Sequence, residues 1–345
     1  MKWCIRKIIM ALISLTVITS TLSACNKQPV KVSYANTVMG TVVQASVYIT
    51  EEEGKQLTEE LRTELERLER ECLSWRVEDS LVAEINERAG EEVRLSEELN
   101  GYLKEIGEIS KKSGGALDIT IGNVTRLWDL DTWATLEKEK WQDFSVPKKD
   151  VLQTSLQDTG YEKVILENGR ICLPKGMSLD LGAVGKGIAC DRVGQILKNN
   201  DCIKGAVVSV GGSVITYGTK PDGSAWNVAI VHPREEGEYL GMLSLQGEWY
   251  VSSSGDYERY VEKNGKRYHH IMNPKDGYPA DAGLCSVTIL SDRGLVSDAL
   301  STACFVLGKE KGMDLVREMG VEALFVTTET EVFMTEGMKK YFKEK

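Results

Sequence analysis

Histidine is scarce in this chain, 3 of 345 residues, and two of the three are adjacent, His269 and His270. No Cys-x-x-Cys pair and no Cys/His zinc spacing occurs, which excludes the small metal-folded classes. Positive charge is in deficit, 42 Lys and Arg against 52 Asp and Glu for a net −10. Such a surface is a poor partner for nucleic acid or anionic lipid, so no nucleic-acid ligand is expected. No Pro/Ser-rich linker, low-complexity tract or internal repeat breaks the chain, which argues against a string of modules. The apolar run Ile8 to Ile18 falls short of the roughly 20 residues that a spanning helix needs.

What is present begins with a leader. Lys2, Arg6 and Lys7 precede the apolar run, and Leu22-Ser23-Ala24-Cys25 closes it with small residues and a cysteine. This resembles a bacterial lipoprotein signal, with Cys25 as the acylated (palmitate-bearing) first residue; an ordinary cleaved signal with an incidental cysteine is the alternative. The cysteine directly follows the small pair, which favours lipidation. The expected organisation is a signal over 1–24, a tether over 25–33 and one domain over 34–345. The expected place is the extracytoplasmic face of the bacterial membrane, held through the lipid. Cys72, Cys172, Cys190, Cys202, Cys285 and Cys304 remain. An even number in an exported chain invites disulfides, but their apolar surroundings favour buried free thiols.

Periodicity supplies the elements. Val38 to Ile49 reads as a strand. Leu57, Leu61, Leu65, Leu68 and Cys72 recur at helical spacing within a helix Glu51–Cys72. Ser74 to Asn86 reads as a turn and a short helix. Ser96 caps a further helix that ends at Gly114-Gly115. Asn168-Gly169 and Asn264-Gly265 turn hairpins over 163–173 and 257–272. Residues 182–198 open Gly-rich and become helical. Strands are expected at 205–217, 226–232, 240–252 and 284–290, then a helix capped by Ser297 and a closing hairpin over 322–335. Many antiparallel hairpins beside a few helices predict an α+β fold of antiparallel sheets with packed helices.

Three segments carry candidate chemistry. Leu179 to Gly187, LDLGAVGKG, is a strand end, a Gly-rich turn and a helix start with Lys186 in it. It is either a cradle for phosphate or pyrophosphate or simply a tight strand-to-helix turn. It matches neither GxGxxG nor the GxxxxGK[ST] loop, which withdraws support from the common dinucleotide folds. Asp298 and Thr302, four apart on a helix, put a carboxylate and a hydroxyl on one face. That suits Mg²⁺, with a dipole partner as the plainer reading of the Asp. His269-His270 lies on the return strand of a hairpin, where neighbours point to opposite faces, so one of them can serve as a base near pH 7. The sequence leaves open which. Asp256 orients a ligand or caps a turn; Trp75 stacks on a ligand ring or packs in the core; His232 is structural or peripheral.

Together these segments resemble the ApbE family, the FAD:protein FMN transferases. The motifs are Met39-Gly40-Thr41, Ala116 to Thr120 (ALDIT), Leu179 to Asp191 (LDLGAVGKGIACD), Ser209 to Gly212 (SVGG), Ser254 to Tyr260 (SGDYERY), His270-Ile271 with Asn273-Pro274 and Gly277 to Pro279 (GYP), and Ser297 to Thr302 (SDALST). The resemblance implies an ApbE-like, T-fold-related architecture and Mg²⁺-dependent transfer of FMN from FAD to a Ser/Thr hydroxyl of an exported acceptor protein, with AMP released. It implies that Asp298, Thr302 and the Ala183 carbonyl hold Mg²⁺, that Lys186 faces the pyrophosphate and that His270 is the base. Met39, Trp75, Ala116, Leu117, Asp118, Asp180 and Ile271 correspond to FAD contacts. The implied partners are flavin-acceptor proteins of exported or membrane redox systems. The chain carries no acceptor motif of its own, so it is not expected to be its own substrate. The alternatives are a Mg²⁺-dependent FAD pyrophosphatase and a flavin-binding lipoprotein without catalysis.

Overall fold

A computed structural model describes residues 29–345; the leader and Cys25 lie outside the described residues. The chain enters as β1 (Val30–Val38) and β2 (Thr41–Ile49), an antiparallel pair joined by Met39-Gly40 with both φ positive, 56° and 65°. Strand β1 thus takes in residues 30–33, which the sequence assigns to the tether. It starts earlier than the sequence predicts, because Val32 and Tyr34 pack against the main core and draw the supposed tether into the sheet. The turn at Met39-Gly40 also splits the expected strand 38–49.

The strands β6 (Gly205–Val210), β7 (Ser213–Gly218), β10 (Trp249–Gly255), β13 (Leu284–Ser291), β14 (Glu322–Thr327) and β15 (Val332–Met334) complete an antiparallel sheet. Its order is β1-β2-β6-β7-β10-β13-β14-β15. Both long strands expected from sequence, 205–217 and 240–252, are each two strands. Gly211-Gly212 turns the first, with Gly211 at φ 57°; the Gln246–Glu248 stretch turns the second between β9 (Tyr239–Leu245) and β10. Each turn carries its own signal, Gly211-Gly212 in the first and the polar Gln246-Gly247-Glu248 in the second, and the continuous-strand reading passes over both because apolar residues resume on either side.

Helices cover one face of the sheet. They are α1 (Glu51–Arg67), α2 (Leu81–Glu87), α3 (Glu97–Lys112), α7 (Gly185–Lys198), α8 (Gly294–Leu307) and α9 (Lys309–Met319). α1 continues into a π-turn over Leu68–Leu73 that buries Leu68, Cys72 and Leu73 and delivers Trp75 just beyond it. Single π-turns of this kind favour functional places. Ser96 caps α3 as expected, accepting from the Leu99 amide at 3.1 Å. The other face of β10, β13 and β14 packs on a small sheet of order β16-β9-β8, where β8 is Trp226–Val231 and β16 is Phe342–Glu344. Covered on both sides, β13 is buried along its whole length. A bulge between Leu284 and Ser286 resets its alternation, so Cys285 joins the small-sheet core while Val287 and Ile289 face the helices.

Among the elements not read from sequence are α4 (Gly122–Trp128), α5 (Leu130–Trp133) and α6 (Lys149–Gln157). Together with the hairpin β11 (Tyr260–Lys263) and β12 (Lys266–His269) they enclose an aromatic core of Trp128, Phe144, Trp141, Tyr260, Tyr268 and Tyr278. A third sheet pairs β3 (Glu92–Arg94) and β4 (Ile165–Glu167) with β5 (Arg170–Cys172), with Asn168-Gly169 turning the expected hairpin. All six cysteines of the described residues are free thiols. Among the described residues no helix is long and apolar enough to cross a membrane.

Candidate functional site

The site grows out of the crossing of α7 and α8. A Cβ on Gly187 would fall on the Gly294 carbonyl and 2.6 Å from the Asp298 Cβ, so only glycines let these helix starts meet. Ser297 does not cap α8. Its hydroxyl lies inside the first turn and donates to the Gly294 carbonyl at 2.9 Å. The cap comes from the facing helix: the Asp191 carboxylate accepts from the amides of Gly294 (2.6 Å) and Leu295 (3.0 Å). In the other direction the Gly187 amide donates to Asp298 Oδ2 at 2.8 Å. Each helix thus supplies the anion for the other's N-terminus.

This exchange has two consequences. The amides of the Gly-rich turn are largely engaged: Gly182 on Asp180 Oδ1 (2.9 Å), Val184 and Gly185 on the Leu181 carbonyl (3.1 and 2.9 Å), Gly187 on Asp298. The turn is therefore the tight strand-to-helix connection, and the Lys186 side chain is the positive charge it carries. In addition, Asp298 takes the amide that an unbroken helix would give to Ala183. Among the described residues no backbone amide bonds the Ala183 carbonyl.

Asp298 is only 2% exposed. Burial raises its carboxyl pKa, while the Lys186 charge, the Gly187 and Lys186 amides and the Ser213 hydroxyl pull it back. Thr302 lies one turn along α8, its Oγ1 3.3 Å from Ser254 Oγ; Ser254 in turn pairs with Ser301 at 2.8 Å. A second hydroxyl chain, Ser213–Ser252–Ser297 with links of 3.0 and 2.8 Å, runs under Asp298 from β7 across β10. A buried carboxylate, a hydroxyl and a freed carbonyl form a hard oxygen donor set, which fits a small divalent cation completed by water and phosphate. Among the described residues no cluster of three or more His, Cys, Asp or Glu offers a self-sufficient metal cage.

The two adjacent histidines have opposite fates. His269 is buried, 6% exposed, with Nε2 donating to the Ala280 carbonyl (3.0 Å), Nδ1 accepting from the Ile271 amide (3.3 Å) and its ring edge-on to Phe305. Both nitrogens are spent. His270 remains half-buried, and its Nδ1 lies 3.2 Å from the Arg259 carbonyl, which also takes the His270 amide at 3.1 Å. A carbonyl only accepts, so Nδ1 carries the proton and the neutral ring keeps its lone pair on Nε2. Among the described residues Nε2 has no partner. Burial, then the Arg259 and Lys186 charges, hold its pKa well below the usual histidine value.

Lys186 is the common neighbour: its charge acts on Asp298, His270 and Glu258 alike. Met39 reaches the same place from the β1–β2 turn, its Cε 3.7 Å from where a Cβ on Gly185 would stand. Lys186, Asp298, His270 and Met39 are thus brought together, with Ala183 in the Gly-rich turn before Lys186 and Thr302 one turn after Asp298 on α8. Glu258 of the SGDYERY motif was given no role from sequence. It stays open to solvent at the cleft, and surrounding protein raises its carboxyl pKa against Lys186 and Arg259. Asp191 was also missed; its signal was a lone acid among the apolar positions of a helix.

A second group adjoins the first through the 179–182 strand end. The Asp180 amide donates to the Ile119 carbonyl (2.7 Å), and Asp180 Oδ2 accepts from Thr125 Oγ1 (2.8 Å). Asp118 folds its own loop, Oδ1 accepting from the Thr120 amide and hydroxyl at 2.8 and 2.6 Å, with its pKa raised by burial. Ala116, Leu117 and Ile271 are buried at 4%, 1% and 5% exposure, within the main core. Trp75 has a buried indole N–H without a partner, and the guanidiniums of Arg76 and Arg126 lie 4.2 and 4.6 Å from its ring centre. Asp256 neither caps a turn nor faces the cleft: Arg234 and Arg267 hold it. His232 is peripheral, accepting from the Arg234 and Glu235 amides.

Known proteins share this fold. The ApbE family pattern matches residues 39–325. The FAD:protein FMN transferase of Treponema pallidum is 33% identical over 326 residues, 89% of this chain and 87% of that protein. The ApbE protein of Thermotoga maritima superposes with a TM-score of 0.81 at 30% identity, covering 91% of this chain and all of that one. The flavin transferase ApbE of Vibrio cholerae gives 0.79 at 25% identity, covering 91% and 99%.

Proposed function

The chain belongs to the ApbE family and is an FAD:protein FMN transferase, and from that premise we propose the course and setting of its reaction. The observation that carries the reading is that three separate segments bring Asp298 and His270 within reach of the Lys186 charge. An acceptor Ser or Thr hydroxyl attacks the FMN phosphorus of FAD. The new P–O bond joins FMN to the acceptor, the pyrophosphate P–O bond breaks, and AMP leaves with the electron pair. His270 Nε2 takes the hydroxyl proton, the weak point of an alcohol nucleophile near neutral pH.

Lys186 faces the pyrophosphate charge. Asp298, Thr302 and the Ala183 carbonyl would hold Mg²⁺, which when bound neutralises charge on the phosphoryl and leaving oxygens. Met39, Trp75, the 116–118 backbone, Asp180 and Ile271 contact the rest of FAD. A flavin stacking on Trp75 exchanges places with a guanidinium already there.

The setting is the extracytoplasmic face of the membrane, with lipid on Cys25 and exported redox proteins as acceptors. Two experiments test this. Protein incubated with FAD, Mg²⁺ and an exported acceptor domain gives a flavin-fluorescent acceptor band that survives denaturation and is lost with chelator. AMP release without that band indicates a hydrolase instead. FAD retention without AMP, indifferent to Asp298→Ala, indicates a flavin-binding lipoprotein. Cys25→Ala shifts the protein from the membrane to the soluble fraction; unchanged fractionation contradicts the anchor.

A further inference from the structure

Asp256 lies just past β10, between the serine-bearing strand and the β11–β12 hairpin, and is 7% exposed. Its two oxygens accept from Arg234 Nη1 at 2.7 Å and Nη2 at 2.8 Å, a bidentate pair, and Arg267 Nη1 stands 3.5 Å from Oδ1. Its own amide donates to the Cys285 carbonyl on β13 at 3.1 Å. Arg234 belongs to the β8–β9 connection and Arg267 to β12. One buried carboxylate therefore ties the small sheet, the start of the 256–259 loop and the returning strand of the hairpin.

Those last two segments meet again at the Arg259 carbonyl. It lies three residues after Asp256 and accepts from both the amide and Nδ1 of His270, itself three residues after Arg267. That carbonyl sets the tautomer of His270. A buried ion pair is a poor source of stability, since apolar groups of like size serve as well. What a bidentate pair supplies is geometry.

We propose that Asp256 is a positioning residue for His270: through Arg234 and Arg267 it fixes the loop and strand whose junction keeps the His270 proton on Nδ1 and the lone pair on Nε2. The inference rests on the reading of His270 as the base, and its test separates the two. Asp256→Asn and Arg234→Gln are each made in the native and the His270→Ala backgrounds, with FAD affinity and thermal melting followed alongside. Each lowers kcat about tenfold in the native background with FAD affinity changed less than about threefold, and costs less than about twofold more once His270 is absent, because residues acting through one group are not additive.

Equal losses in both backgrounds, or native-background kcat within about twofold of the parent for both variants, overturn the proposal. If His270→Ala itself leaves kcat intact, the base reading fails instead, and the ¹⁵N shifts of His270 decide the positioning role. Loss of the pure Nδ1–H form in Asp256→Asn upholds it, and an unchanged tautomer refutes it. Should Asp256→Asn not fold, Arg234→Gln carries both readouts.

Discussion

At the scale of single residues the account turns on His270 and Asp298. His270→Ala should lower kcat by about 10²- to 10⁴-fold, the usual worth of a positioned base, while FAD affinity changes little. His269→Gln should leave kcat nearly intact, since both nitrogens of that ring are spent on backbone groups; the reverse pattern of losses would exchange the two roles. The pKa of His270 is depressed, so its neutral form persists as pH falls. The acid limb of kcat/KM should therefore lie below about 6.5, the value of a free histidine. A limb above that value would place the titrating base elsewhere. Asp298→Ala should abolish metal-dependent turnover, and full activity at saturating Mg²⁺ would remove it from the donor set.

At the scale of elements, the crossing of α7 and α8 is the structural heart of the site, because each helix start is capped from the other. Gly187→Ala should cost about 3 kcal/mol or more, since a methyl there meets a carbonyl and a Cβ that cannot both retreat. Asp191→Ala should cost about 2–4 kcal/mol by leaving two buried amides unpaired. Chemical denaturation measures both; losses under about 0.5 kcal/mol, the level of ordinary surface changes, would contradict the reciprocal capping.

Much of this was legible in the sequence. The Asn-Gly hairpins, the Ser96 cap and the amphipathic first helix follow local rules. What was not legible depended on distant partners. Ser297 has the right chemistry for a cap, but a carboxylate more than a hundred positions away takes the task. The turns within 205–217 and 240–252 had local signals, Gly211-Gly212 and Gln246-Gly247-Glu248, outweighed by the apolar runs on either side of them. Helices α4 to α6 were missed because their aromatic residues pack against a hairpin far along the chain. The choice between His269 and His270 needed the register of β12 and the carbonyls at Arg259 and Ala280.

At the scale of the whole molecule, two layers cover the central strands on opposite faces, and the candidate site lies where helix starts, hairpin and Gly-rich turn converge. Such burial has a pH signature. Both histidines are held neutral, with pKa values lowered by burial. As pH falls below about 6.5 the unfolded chain binds protons that the folded chain does not, so their contribution lowers stability. Asp118, Glu258 and Asp298 have raised values and act with the opposite sign at lower pH. Melting temperature should drop between pH 7.5 and 5.5, and a His269→Gln/His270→Gln double variant should flatten that drop; an equally steep decline would show that other groups govern it.

The central claim, transfer of FMN rather than hydrolysis of FAD, is tested most directly by stoichiometry. AMP and protein-bound FMN are quantified in one reaction of the enzyme with FAD, Mg²⁺ and an acceptor domain. One AMP is expected for each FMN esterified to an acceptor Ser or Thr. AMP accumulating without protein-bound flavin would contradict it.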